Sequence, residues 1–152
     1  MYLIRKKLKD FSAAHRLIKG YQGPCAHLHG HNYVASVLIA TGSLNEFGFV
    51  IDFGEIKLRC DHWLEQHFDH ATLICAEDHA LIDFVKQEQQ KYYLMPEGKN
   101  TSAEVIAEHL FEIFSALLKK DYPHVSLLEV EVAETVASQA VYRAESDGAM
   151  NV

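Results

Sequence analysis

Extended, Val- and Ile-rich segments lie towards both ends of this chain and the helical repeats lie between them, an order that restricts the fold more than any other feature. Asn32 to Thr41 (NYVASVLIAT) reads as a strand. Residues 2 to about 14 are apolar and β-compatible, though they alternate imperfectly, and they pair with it across the loop RLIKGYQGPCAHL. Gly42 to Gly48 forms a turn, and GFVID returns as an extended stretch ending at Asp52, a residue type that caps helices. From Phe53 to about His67, Phe53, Ile56, Cys60, Trp63 and Leu64 recur at three- and four-residue spacing, which predicts an amphipathic helix. A short helix is expected over Asp78 to Lys86. Thr101-Ser102-Ala103-Glu104 has capping-box form, and Val105, Ile106, Leu110, Ile113, Phe114 and Leu117 mark a long helix behind it. Leu128, Val130 and Val132 then alternate with Glu129, Glu131 and Ala133, and SQAVYR follows as the second arm of a hairpin. The order ββααββ keeps strand runs apart from helix runs. It predicts an α+β fold, a four-stranded antiparallel sheet with two main helices on one face, and not a parallel doubly wound sheet.

A length of 152 residues fits one domain, 1–152, with no repeat and too few Gly and Pro for a linker. Lys and Arg number 14 against 21 Asp and Glu, a net charge of −7 that argues against nucleic acid as a partner. The basic N-terminus MYLIRKKLKDFSAAH is followed by no apolar run of signal-peptide or membrane-span length. The expectation is a soluble, cytoplasmic protein that uses no membrane. Cys25, Cys60 and Cys75 are an odd number without CxxC spacing, which suits neither a disulfide framework nor a cysteine-based zinc module. The tail ESDGAMNV is polar and small and is expected to fray.

The chain carries 10 histidines, and their arrangement suggests chemistry. His29 and His31 open a predicted strand, where residues two apart share a face. His15 closes the preceding strand segment FSAAH and supplies a third imidazole if the two strands are antiparallel neighbours. Three imidazoles with an open fourth position are a catalytic zinc arrangement, because structural sites fill all four positions with protein ligands. For any one histidine, a surface or core role is the commoner case, and HxH spacing alone leaves His27 as a rival ligand on the same face.

FSAAHRL, a glycine-bearing loop and then Cys25-x-x-x-HGHNY resemble the signature of the 6-pyruvoyl-tetrahydropterin synthase family, and GFVIDFGEIK, FDHATL, NTSAEVIAEHL and VAETVASQAVYR continue the resemblance in the family's order. The resemblance implies the tunnelling fold (T-fold) and zinc held by His15, His29 and His31, leaving His27 outside the set. It makes Cys25 the base and Asp69 with His70 a proton-relay pair. A thiol acts as a base only as its thiolate, which a nearby cation, histidine or metal favours. Glu134 takes the place of the family's pterin-anchoring carboxylate, suited to two hydrogen bonds from a 2-amino group and N3–H. Thr101 and Ser102 match the segment lining the pterin pocket, alongside their role as a helix cap. Two departures stand out: the segment Ile74 to Lys99 is longer than in the shortest members, and Thr101-Ser102 replaces a common Pro-Thr.

The implied substrate is 7,8-dihydroneopterin triphosphate. Cys25 removes a side-chain proton and triphosphate leaves. In the 6-carboxy-tetrahydropterin synthase branch, which serves queuosine biosynthesis in bacteria, acetaldehyde is then lost to give 6-carboxytetrahydropterin. The alternative branch ends at 6-pyruvoyl-tetrahydropterin after an internal redox tautomerisation. LHGH and the short N-terminus look closer to the 6-carboxy type, and Cys25 counts against a subgroup that carries glutamate there. The non-enzymatic alternative is a zinc-stabilised pterin-binding protein. Arg16, Lys19 and His27 flank the Cys25 loop as candidate triphosphate ligands, or else as an ordinary solvated surface. The family's assembly is a homo-hexamer, a dimer of trimers with sites between subunits, which would cover edge strands.

Overall fold

A computed structural model describes residues 1–143; the tail ESDGAMNV lies outside them. Strand β3 (His29–Thr41) is the long central strand. Two strands share one of its edges, β1 (Tyr2–Lys7) from Tyr2 opposite Thr41 to Lys7 opposite Ser36, and β2 (Phe11–His15) from Phe11 opposite Tyr33 to His15 opposite His29. Between them the chain is pinned where the Leu8 amide donates to the Ala35 carbonyl at 2.8 Å. On the other edge β3 pairs antiparallel with a strand at Val125–Thr135, which pairs in turn with one at Ser138–Arg143. These are the four expected antiparallel positions, with β1 and β2 sharing one.

The difference lies outside them. Ala71–Ile74 (β4) pairs parallel to β2, and Tyr92–Leu94 (β5) pairs parallel to β4, so the sheet is mixed and seven-stranded, with the C-terminal strands becoming β6 and β7. A parallel strand buried on both faces reads as a short apolar run without alternation, so ATLI carried no period-2 signal.

The first helical segment runs as α1 (Phe53–Ile56), a π-helical stretch Lys57–Asp61 and α2 (His62–His67), with the Asp52 side chain capping Gly54. Helix α3 (His79–Gln87) is capped by Asp78, and α4 (Ala103–Asp121) by Ser102. Both long helical segments pack on one sheet face. Tyr33, Ala35, Val37 and Ile39 share a buried cluster with Ile56, Cys60 and Leu64 from one segment and Ile106, Leu110 and Phe114 from the other. A register shift between Leu38 and Ile39 switches the buried parity of β6, so Val125 and Leu127 face the core before it and Val130 and Val132 after it. The alternation starting at Leu128 therefore holds only beyond this bulge. Leu110 is fully buried, and Leu110→Ala is expected to cost about 2–5 kcal/mol in a denaturant titration.

Candidate active site

The core face of β3 runs past Tyr33 into His31 and His29, and β2 brings His15 against them through the His15–His29 pairing. The ring nitrogens of these three residues lie within 4.8 Å of one another, the one such group of possible metal ligands among the described residues. The His15 and His29 Nε2 atoms are 3.1 Å apart. His15 Nδ1 donates to the Thr101 carbonyl at 2.7 Å, and His29 Nδ1 donates to the His27 carbonyl at 2.7 Å. A carbonyl oxygen only accepts, so in the neutral rings both protons sit on Nδ1 and both Nε2 atoms present bare lone pairs. Two lone pairs facing each other at that distance call for a cation between them. Burial pushes the His15 imidazole below its ordinary pKa, with the Thr101 carbonyl opposing, which favours the neutral form a metal needs. Donor set, tautomers and carbonyl partners all fit a divalent metal of the zinc type, which imidazoles suit.

His27 contributes its carbonyl and not its ring. It precedes β3, as the C-cap of a 3-10 turn at Pro24–Ala26, so the two-residue period of a strand does not extend to it. Cys25 sits inside that turn, tied through its carbonyl to the Leu17 amide at 2.8 Å. Cys25, His15, Ser102, Glu134 and Gln139 line one cleft. Glu134 lies near the end of β6, with Oε1 at 3.8 Å from His15 Nε2 and 4.0 Å from His31 Nε2.

Ser102 lines this cleft and also caps α4, accepting from the Val105 amide at 3.5 Å. Thr101 is fully buried and its hydroxyl donates to the Arg16 carbonyl at 2.9 Å. What Thr101 offers the site is the carbonyl that orients His15. Asp69 and His70 form a pair, Asp69 Oδ2 to His70 Nδ1 at 3.1 Å, on the turn after α2, where His70 has a positive φ of 58°. Burial raises the Asp69 carboxyl, but the Ser12 amide and His70 outweigh it and bring it below its usual value. The pair does not line the Cys25 cleft. His70 opens onto another cleft, with Ser12, Ala14, Asn32 and Lys91, which His31 also borders.

Two of the three basic candidates beside the Cys25 loop, Arg16 and Lys19, are occupied. Arg16 makes a two-pronged ion pair with Asp78, and Lys19 donates to the Gly98 carbonyl at 2.8 Å and lies 3.7 Å from Glu77. Sequence reasoning missed Asp78, whose only local signal was its place at the start of a short helix, and Tyr33. The Tyr33 hydroxyl is buried and has no hydrogen-bond partner among the described residues. Such a group loses its hydration without return, so Tyr33→Phe is expected to leave stability unchanged or raise it by about 1 kcal/mol in a thermal melt.

The sequence profile of the 6-pyruvoyl tetrahydropterin synthase family matches residues 4–145. The 6-carboxy-5,6,7,8-tetrahydropterin synthase of Rickettsia bellii (strain RML369-C) is 39% identical over 113 residues, 72% of this chain and 79% of that protein. An uncharacterised protein from Wolinella succinogenes superimposes with a TM-score of 0.79 at 22% identity, over 95% of this chain and 98% of that one. The 6-pyruvoyl tetrahydropterin synthase of Plasmodium vivax does so at 0.69 and 18% identity, over 96% and 100%. The likeness to these two structures is one of fold, the T-fold expected above. Sequence profile and curated relative agree along most of the chain, and it belongs to the 6-pyruvoyl tetrahydropterin synthase family.

Proposed function

We propose that this protein is a zinc-dependent 6-carboxytetrahydropterin synthase acting on 7,8-dihydroneopterin triphosphate. The observation that carries the reading is the pair of proton-free imidazole nitrogens of His15 and His29 held face to face at 3.1 Å, with His15 lining the same cleft as Cys25. The relative named 6-carboxy-5,6,7,8-tetrahydropterin synthase supports that branch over the 6-pyruvoyl one.

Zinc bound by His15, His29 and His31 supplies Lewis acidity to the oxygens of the substrate side chain. The remaining work falls to the chain. The Thr101 and His27 carbonyls hold His15 and His29 in the tautomer that presents Nε2. Cys25 takes a proton from the substrate side chain. Glu134, which lines the cleft, accepts hydrogen bonds from the pterin's 2-amino group and N3–H, which requires its carboxylate to turn away from the histidines. Asp69 and His70 serve as the relay; His70 is 81% exposed and on a different cleft, so a relay to Cys25 requires a neighbouring subunit. That geometry suits a homo-hexamer with shared sites, working in the cytoplasm and feeding queuosine synthesis. Among the described residues no helix is long and apolar enough to cross a membrane.

Zinc-loaded protein incubated with 7,8-dihydroneopterin triphosphate is expected to yield 6-carboxytetrahydropterin and acetaldehyde by mass spectrometry. A 6-pyruvoyl product moves the protein to the other branch, and no conversion leaves the zinc-stabilised pterin-binding protein.

A further inference from the structure

The parallel pairing of β2 with β4 ends at Ala14 opposite Thr72, one residue before His15. On that side the strand end has no sheet partner at the point where it must hold a metal ligand. The side chain of the next residue takes over. Arg16 Nε donates to Asp78 Oδ2 at 2.7 Å and its Nη2 to Oδ1 at 2.6 Å, a fork-on-carboxylate geometry that fixes direction as well as distance. The Asp78 side chain is only 5% exposed, and the residue is anchored as the cap of α3, accepting from the Leu81 amide at 3.3 Å.

Arg16 is a junction. Its carbonyl receives the Thr101 hydroxyl, whose own carbonyl orients His15, and its neighbour Leu17 donates to the Cys25 carbonyl. The metal ligand on one side of Arg16 and the cysteine turn on the other are thus referred to one fixed point. That point lies in the segment 74–99, whose extra length had no evident purpose in the sequence.

We propose that Asp78 is a positioning residue which, through Arg16, fixes both the His15 imidazole and the Cys25 turn. The inference rests on the metal reading of the three histidines. Capping and positioning separate cleanly, because Asn and Ser cap helices about as well as Asp. Asp78→Asn keeps the cap but loses the charged two-oxygen acceptor, and Asp78→Ser keeps it while falling short of Arg16. Arg16→Lys keeps the charge and loses the fork.

Each purified variant is titrated with zinc against a chelator of known affinity, and the alkylation rate of Cys25 is followed in parallel. A direct partner of a metal ligand is worth about 10–100-fold in affinity, and Asp78 acts on that partner through Arg16, so all three variants are expected to bind zinc more weakly by up to about ten-fold, with altered Cys25 reactivity and a melting temperature near wild type. Combining Asp78→Asn with Arg16→Lys is expected to add little to either alone. Glu108→Gln, which breaks a separate surface ion pair with Lys99, is expected to leave zinc affinity unchanged. Wild-type affinity and thiol reactivity in all three variants overturns the proposal. Failure of the wild-type protein to bind zinc overturns the metal reading instead. If Asp78→Asn does not fold, Arg16→Lys decides.

Discussion

His31→Ala is expected to abolish stoichiometric zinc binding and turnover together while leaving a folded protein. His31 is the cleanest ligand to remove. His15 is buried and orients through Thr101, and His29 is tied to the His27 carbonyl, so losing either disturbs local structure as well. The partners of a ligand are worth about 10–100-fold, and removing the ligand itself is expected to weaken zinc by more than about 100-fold. Metal content per chain, measured after dialysis at defined free zinc, checks this. A His31→Ala protein that retains one zinc per chain removes the three-histidine assignment.

Cys25→Ala is expected to lower turnover by about 10²–10⁴-fold, the range general acid–base groups supply. Zinc content and pterin binding should be kept, because the Cys25 backbone, through its bond to Leu17, carries the turn and the side chain does not. The same variant separates enzyme from binding protein, since a protein that only binds pterin loses nothing when the thiol goes. An undiminished rate in Cys25→Ala ends the role given to the thiol.

What was legible in the sequence followed from local rules that the tertiary structure kept. The antiparallel partners of β3 and the long helix α4 came from periodicity, and the three histidines came together because His15 does fall opposite His29. Where the reading fell short, the cause was non-local. β4 and β5 carry no alternation because they are parallel additions to the sheet. His27 shared a face with His29 on spacing alone, but the strand begins only at His29. Thr101 reads as part of a capping box, while its carbonyl partner, His15, is 86 residues away. Asp78 reads only as the start of a short helix, and nothing local reveals that Arg16 is its partner. The roles of Cys25, Asp69, His70 and Glu134 came from resemblance.

The bond that aims His15 carries a consequence for how the protein is made. His15 meets His29 across 14 residues of chain but reaches its orienting carbonyl only across 86. During synthesis the first two strands and their histidines emerge early, while the residue that sets the His15 tautomer arrives with the N-terminus of α4 and must wait for that helix to dock. A competent metal site is therefore a late product of folding. Zinc that binds only the finished fold adds stability by mass action, about 1.4 kcal/mol for each tenfold rise in free metal above the dissociation constant. For such a chain, metal uptake marks the moment when the start of α4 has closed on the first two strands.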